Sequence, residues 1–152
     1  MKKAASSRAK ILKIVGPRYW KNLAAFKQGR CIYCGDPAED QDHIPAITWL
    51  YALGTDHFVK LKIIPQLVPA CKRCNGWLGS KPFHTLRQRK GFISSKLREF
   101  SRKLANTPRW KDWEIAEMGG RLKAIVNDIE TVKAYLARRE EWANSVFPWD
   151  EV

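Results

Sequence analysis

The spacing of apolar residues changes along this chain, and each change marks an element. Between Gly91 and Asn106, Phe92, Ile93, Leu97, Phe100 and Leu104 recur at helical intervals with Lys, Arg and Ser between them. That spacing predicts an amphipathic helix. From Arg121 to Ser145 a longer stripe runs through Leu122, Ile125, Val126, Ile129, Val132 or Lys133, Leu136, Trp142 and Ala143. It predicts a second long helix. A shorter one is expected between them, with Thr107 as cap, Pro108 in its first turn, Asp112 and Glu114 nearby, and Gly119-Gly120 as the break. Near the start, Trp20, Leu23, Ala24 and Phe26 suit a helix from about Pro17 to Gly29, preceded by a polar, basic stretch that reads as frayed.

The middle of the chain lacks this regularity. Cys31 to His43 reads as a tight knuckle followed by a short extended segment. "ITWLYALGTDHFVKLKII" is almost continuously apolar, which fits helix, strand or both. "LVPACKRCNGWLGSK" reads as the end of a strand, a second knuckle and a short helix, weakened by Gly76 and Gly79 and limited by Pro82. The chain therefore divides into a basic N-terminal segment with a helix (1–28), a central core (29–83) and a helical C-terminal extension (84–152). The extension either packs on the core or serves dimerisation or DNA binding. The class is α+β.

Composition narrows the partner. Apolar residues make up 45% of the chain, with seven Trp, six Phe and four Tyr, so it can fold and is not a disordered basic tail. Twenty-eight Lys and Arg against fifteen Asp and Glu leave a net charge of +13. A polyanion is favoured: nucleic acid first, an anionic membrane surface second. The excess is uneven, since Lys60 to Lys103 contains twelve Lys or Arg and a single acid, Glu99. Solvated surfaces usually mix signs, so this block reads as a phosphate-binding face. Lys72, Arg73, Lys81, Arg87, Arg89 and Lys90 are its candidate contacts, continued by Lys96, Arg98, Arg102 and Lys103. Such a face gives salt-sensitive affinity with little sequence preference.

No apolar run approaches the roughly 20 residues a membrane span needs. The opening "MKKAASSRAKILKIVG" has too short an apolar stretch for a secretory signal. A cytoplasmic, reducing location is expected, where cysteines read as thiolate ligands more readily than as disulfides. Cys31-x-x-Cys34 and Cys71-x-x-Cys74 account for every cysteine in the chain. Two such pairs complete a tetrahedral four-sulfur site for structural Zn²⁺, closed to substrate.

Eight residues after Cys34 come Asp42 and His43. Adjacent residues of a strand point to opposite faces, so the pair cannot grip one metal symmetrically. They can flank a scissile phosphate, with Asp42 on a hard divalent cation such as Mg²⁺ and His43 on a water as general base. An Asp-His dipeptide alone is more often idle.

The ordered set Cys31-x-x-Cys34, Asp42-His43-Ile44-Pro45, Leu67-Val68-Pro69-Ala70-Cys71-x-x-Cys74-Asn75 and Lys81 resembles the HNH endonuclease family over residues 29–83. Members of this kind carry a small treble-clef, or ββα-metal, core with a zinc knuckle. The resemblance implies that His43 is the general base and that Asp42 and Asn75 hold a catalytic Mg²⁺ or Mn²⁺. It also implies DNA cleavage leaving 5′-phosphate and 3′-hydroxyl ends, in a phage, mobile-element or restriction setting. The family often has Asn before the Leu-Val-Pro stretch to orient the base histidine; here Gln66 stands there, with the same carbonyl on a longer stem. Leu78 stands where the family often has Lys, and Lys81 follows three residues later.

His84 could reach the site as a third ligand, although a surface histidine beside Phe83 is the plainer reading. His57 matches nothing. Trp77 reads as core sooner than as a base-stacking platform. Two rivals remain at this point: a non-catalytic zinc module that binds nucleic acid, and an RNA-cutting or toxin-like nuclease of the same fold. A lone site cuts one strand, so double-strand cleavage of duplex DNA would call for a homodimer or two binding events, with the C-terminal helix as the natural dimer surface.

Overall fold

The computed structural model describes residues 29–63 and 65–147. The basic first residues and the helix expected from Pro17 onward lie outside them.

The first knuckle closes through its own backbone. Gly35 N–H donates to the Cys31 carbonyl at 2.9 Å, and Cys31 N–H donates to the Asp36 carbonyl at 2.6 Å. Gly35 has φ +75°, and a Cβ there would lie 2.7 Å from the Trp142 ring. Both the turn and the packing above it therefore require glycine. Ile32 N–H donates to Pro69 O at 3.0 Å, tying the knuckle to the sheet.

That sheet has two antiparallel strands, β1 (Asp40–Ile44) and β2 (Gln66–Ala70), with Asp42 opposite Val68 and His43 opposite Leu67. The ambiguous segment between them is helical: α1 (Ile47–Leu53) and α2 (Thr55–Lys60), broken at Gly54. Its apolar run misleads because only Leu50 and Phe58 of these two helices are buried hydrophobics, while Tyr51, Leu53 and Val59 face solvent.

β2 leads directly into the second knuckle. Cys71 caps α3 (Lys72–Leu78), its Sγ accepting from Cys74 N–H at 3.4 Å. The strand, both knuckles and the helix thus meet at the cysteines.

Three more helices follow among the described residues. The first, α4 (Leu86–Ala105), begins before the apolar spacing suggests because Thr85 and Gln88 form a capping box. The short helix α5 (Asp112–Glu117) does not start at Thr107. Thr107 Oγ1 instead donates to Leu104 O at the end of α4, and the Glu114 carboxylate accepts Lys111 N–H at 2.6 Å, which sets the first turn. Past the Gly119-Gly120 break runs α6 (Gly120–Asn144). Its C-terminal half packs on α4 through Leu136 and Ala143, whereas Leu122, Ile125 and Val132 in its first half stay exposed.

One core runs from Ile32 and Tyr33 through Ile44, Val68 and Leu78 to Ile93, Leu97 and Leu136. The C-terminal helices therefore share a core with the knuckles and the sheet. The architecture is α+β. Among the described residues no helix is long and apolar enough to cross a membrane.

Candidate active site

The four cysteines arrive from two knuckles and converge. Their Sγ atoms lie within 4.8 Å of one another, and all four residues are buried and unlinked by disulfides. Cys34 Sγ is 3.7 Å from Cys71 Sγ. A tetrahedron with metal–sulfur bonds of about 2.3 Å has edges of about 3.8 Å, so the donor set fits zinc in both type and spacing. Hydrogen bonds within the cluster push the Cys71 and Cys34 thiols below their usual range and the Cys31 and Cys74 thiols above it.

A second sphere comes from α6, a helix whose sequence offers no obvious catalytic grouping. Arg139 is fully buried; its Nη2 donates to Cys74 Sγ at 3.7 Å and its Nε pairs with Asp36 Oδ2 at 3.1 Å. Tyr135 donates its hydroxyl to the same Asp36, and Trp142 Nε1–H donates to Ile32 O at 3.2 Å. Four thiolates around one Zn²⁺ carry net negative charge, which a guanidinium beside them offsets. The spacing of Tyr135, Arg139 and Trp142, four and then three residues apart, was the available sign of a shared face.

Beyond the cysteines lies an open groove of about 460 Å³ bordered by β1, α1 and α3, with Asp40, His43, Thr48, Lys72, Asn75 and Ser80 on its walls. His43 and Asn75 thus come together. Asn75 sits just past the fourth cysteine on α3, and its Nδ2 donates to Asp40 Oδ2 at 2.6 Å across the strand–helix junction. Asp40, which sequence reasoning passed over, is exposed and within reach of that amide.

Asp42 also borders the groove, but its carboxylate is engaged elsewhere. Arg89 Nη1 donates to both its oxygens, at 2.8 and 2.7 Å, and the Tyr33 hydroxyl donates to Oδ2. Both side chains of the ion pair are almost completely buried. Burial pushes the Asp42 carboxyl above its usual value, against the opposing pull of Arg89 and of the Tyr33 hydroxyl. The expectation that Asp42 offers oxygens to a catalytic cation is corrected here: its acceptors are taken, and a cation beside it would meet the guanidinium.

Two other expectations change. Gln66 pairs in register with Ile44, on the sheet face opposite to His43 and its partner Leu67. It lines a separate cavity of about 90 Å³ with Ile44 and His84, so it does not orient His43. His84 packs between Trp49 and Phe58, with ring centroids 5.5 and 5.2 Å away, and does not line the groove. Burial, then Arg89 and His57, lower its pKa. A third-ligand role is not supported by that position.

The basic block divides in the same way. Lys72, Arg73, Lys81 and Arg87 are exposed. Lys72 lies on the groove wall, and Lys81 Nζ donates to Trp77 O at 2.7 Å. Arg89 and Lys90, expected among the phosphate contacts, are buried. They fall on the α4 face that carries Leu86, Ile93 and Leu97, where Arg89 neutralises Asp42 and Lys90 Nζ donates to Ser145 O at 2.9 Å. Trp77 stacks on Phe100 at 5.6 Å, under the Arg139 guanidinium, and so belongs to the packing.

Comparison of the chain with protein-family models, with curated proteins and with solved structures finds no match.

Proposed function

We propose that the chain is a metal-dependent endonuclease of the HNH type, with a treble-clef core stapled by zinc and double-stranded DNA as substrate. The observation that carries this reading is the meeting of His43 and Asn75 in one open groove, directly beside a buried four-cysteine cluster. His43 takes a proton from water near neutral pH. The resulting hydroxide attacks phosphorus, and the bond to the 3′ oxygen breaks, leaving 5′-phosphate and 3′-hydroxyl ends. Asn75 and a neighbouring carboxylate are oxygen donors of the kind Mg²⁺ or Mn²⁺ takes. When bound, such a cation supplies positive charge at the phosphate and the departing oxygen. Lys72 and Arg73, exposed at the first turn of α3, hold the phosphate backbone at the groove.

One observation favours a second reading. Gln66 lies on the sheet face opposite to His43, so this side chain does not take the orienting role the family often gives to Asn, which suits a zinc module that binds nucleic acid without turning it over. Incubating the protein with supercoiled plasmid, linear duplex and structured RNA, in Mg²⁺ or Mn²⁺ and in EDTA, separates the readings. Metal-dependent cutting of duplex DNA supports the endonuclease. Cutting of RNA alone replaces the substrate, and binding without cutting leaves the module.

A further inference from the structure

We infer that the chain forms a two-fold symmetric homodimer in which the first halves of two α6 helices pack antiparallel. Its purpose rests on the endonuclease reading, since two copies bring two grooves to one duplex; the surface itself does not. Within the chain α4 and α6 already run antiparallel, with Ser94 Oγ donating to Asn144 Oδ1 at 2.6 Å and Ser101 Oγ to Glu140 Oε2 at 3.1 Å. Along this contact Leu136 and Ala143, seven residues apart on α6, are buried. α4 ends at Ala105, which shares a groove wall with Leu136. The same seven-residue line continues back to Ile129 and Leu122, past the end of α4, with Ile125 and Val132 beside it. Leu122, Ile125 and Val132 are 48%, 49% and 43% exposed there.

Two features commit this stripe to a second copy. Leu122, Ile125, Ile129 and Val132 are spaced by three, four and three residues, a pattern that reads the same in both directions. An antiparallel copy therefore sets Leu122 against Val132 and Ile125 against Ile129 about a two-fold axis, an interface that closes on itself. The charge is also balanced. Residues 120–134 carry Arg121, Lys123 and Lys133 against Asp128 and Glu130, a net +1, whereas the whole chain carries +13. Two such basic molecules meet here where their mutual repulsion is small. Length sets the strength: residues 120–134 span about 22 Å, so the interface belongs with the small ones, below about 1,200 Å² in total, which associate weakly. A micromolar dissociation constant is expected.

Sedimentation velocity of zinc-loaded full-length protein across the micromolar range, without nucleic acid, tests this directly. The wild type should pass from monomer to dimer. Ile125→Asp buries an unpaired charge in the interface and should raise the dissociation constant at least about tenfold, with zinc content and melting temperature unchanged. Tyr51→Asp, which removes a still more exposed apolar side chain from α1, should leave the constant unchanged. Oxidative cross-linking reads the register. Leu122→Cys mixed with Val132→Cys should give a disulfide-linked pair. Leu122→Cys alone should give little, because the antiparallel register holds its two copies about 15 Å apart along the helices, beyond the roughly 7 Å between Cα atoms that a disulfide allows. A wild type that stays monomeric overturns the inference, as does an Ile125→Asp variant that dimerises like the wild type. So does efficient cross-linking of Leu122→Cys to itself. If the stripe dimerises the protein but no nucleic acid is cut, the dimer stands and the endonuclease reading falls. If a protein that stays monomeric cuts DNA, the nuclease stands and the dimer falls.

Discussion

Replacing Arg89 with Met tests the central structural feature of the core. Arg89 and Asp42 form an ion pair in which both side chains are almost fully buried, and Arg89 Nε also donates to Phe83 O at 2.9 Å. Removing one partner of a buried pair strands the other charge, which costs roughly 3–5 kcal/mol; the lost Phe83 hydrogen bond adds about 1 kcal/mol. For a chain of this length that corresponds to a fall in melting temperature of about 8–24 °C. The cost should depend on pH. The Asp42 carboxyl already sits above its usual value in the folded protein, so the folded state binds more protons than the unfolded one between those two values. Stability contributed there falls as pH rises. Without Arg89 the folded value moves higher still, so the deficit should be largest near pH 8 and shrink below about pH 5. Guanidinium unfolding at saturating zinc, followed by tryptophan fluorescence at both pH values, measures this. A second variant, Asp42→Leu with Arg89→Met, removes both charges and should recover at least half the loss. A deficit under about 1 kcal/mol, or one equal at both pH values, would refute the buried-pair account.

The remaining predictions concern the metal, the knuckle and the basic face. Elemental analysis should find one zinc per chain, and Cys74→Ser should abolish it and unfold the core, because binding energies of about 10–16 kcal/mol are coupled to folding at such sites. Gly35→Ala meets both a left-handed backbone (φ +75°) and the Trp142 ring at 2.7 Å; a loss of about 2 kcal/mol or more is expected in thermal unfolding. Lys72→Ala with Arg73→Ala should weaken DNA binding and reduce the slope of log affinity against log salt by up to about 2. Truncating Lys90, tied to Ser145, should leave that slope unchanged and lower stability instead.

Much of this could be read from sequence because its determinants are local. The Cys-x-x-Cys spacings bring their own turns, and a four-sulfur cluster able to hold a metal ion follows from them. The stripe on α6 and the Phe92 to Leu104 spacing on α4 gave long helices. What escaped depends on which face a residue occupies after packing. Asp42 and Asp40 look equivalent two positions apart, yet one meets Arg89 from 47 residues away and the other opens to the groove. Arg89 and Lys90 read as surface cations by composition, although they sit three and four residues beyond Leu86 and four and three before Ile93, on the buried face of α4. Gln66 was assigned by position along the chain, while antiparallel register with Ile44 decides its side of the sheet.

The measurement that tests the nuclease most directly is the nicking rate of supercoiled plasmid, in Mg²⁺, by wild type and by His43→Ala preparations matched in zinc content. The account predicts metal-dependent nicking by the wild type and a fall of at least about a hundredfold in the variant, with DNA binding retained. Equal rates in the two proteins, or no cutting by either while both bind DNA, would contradict it.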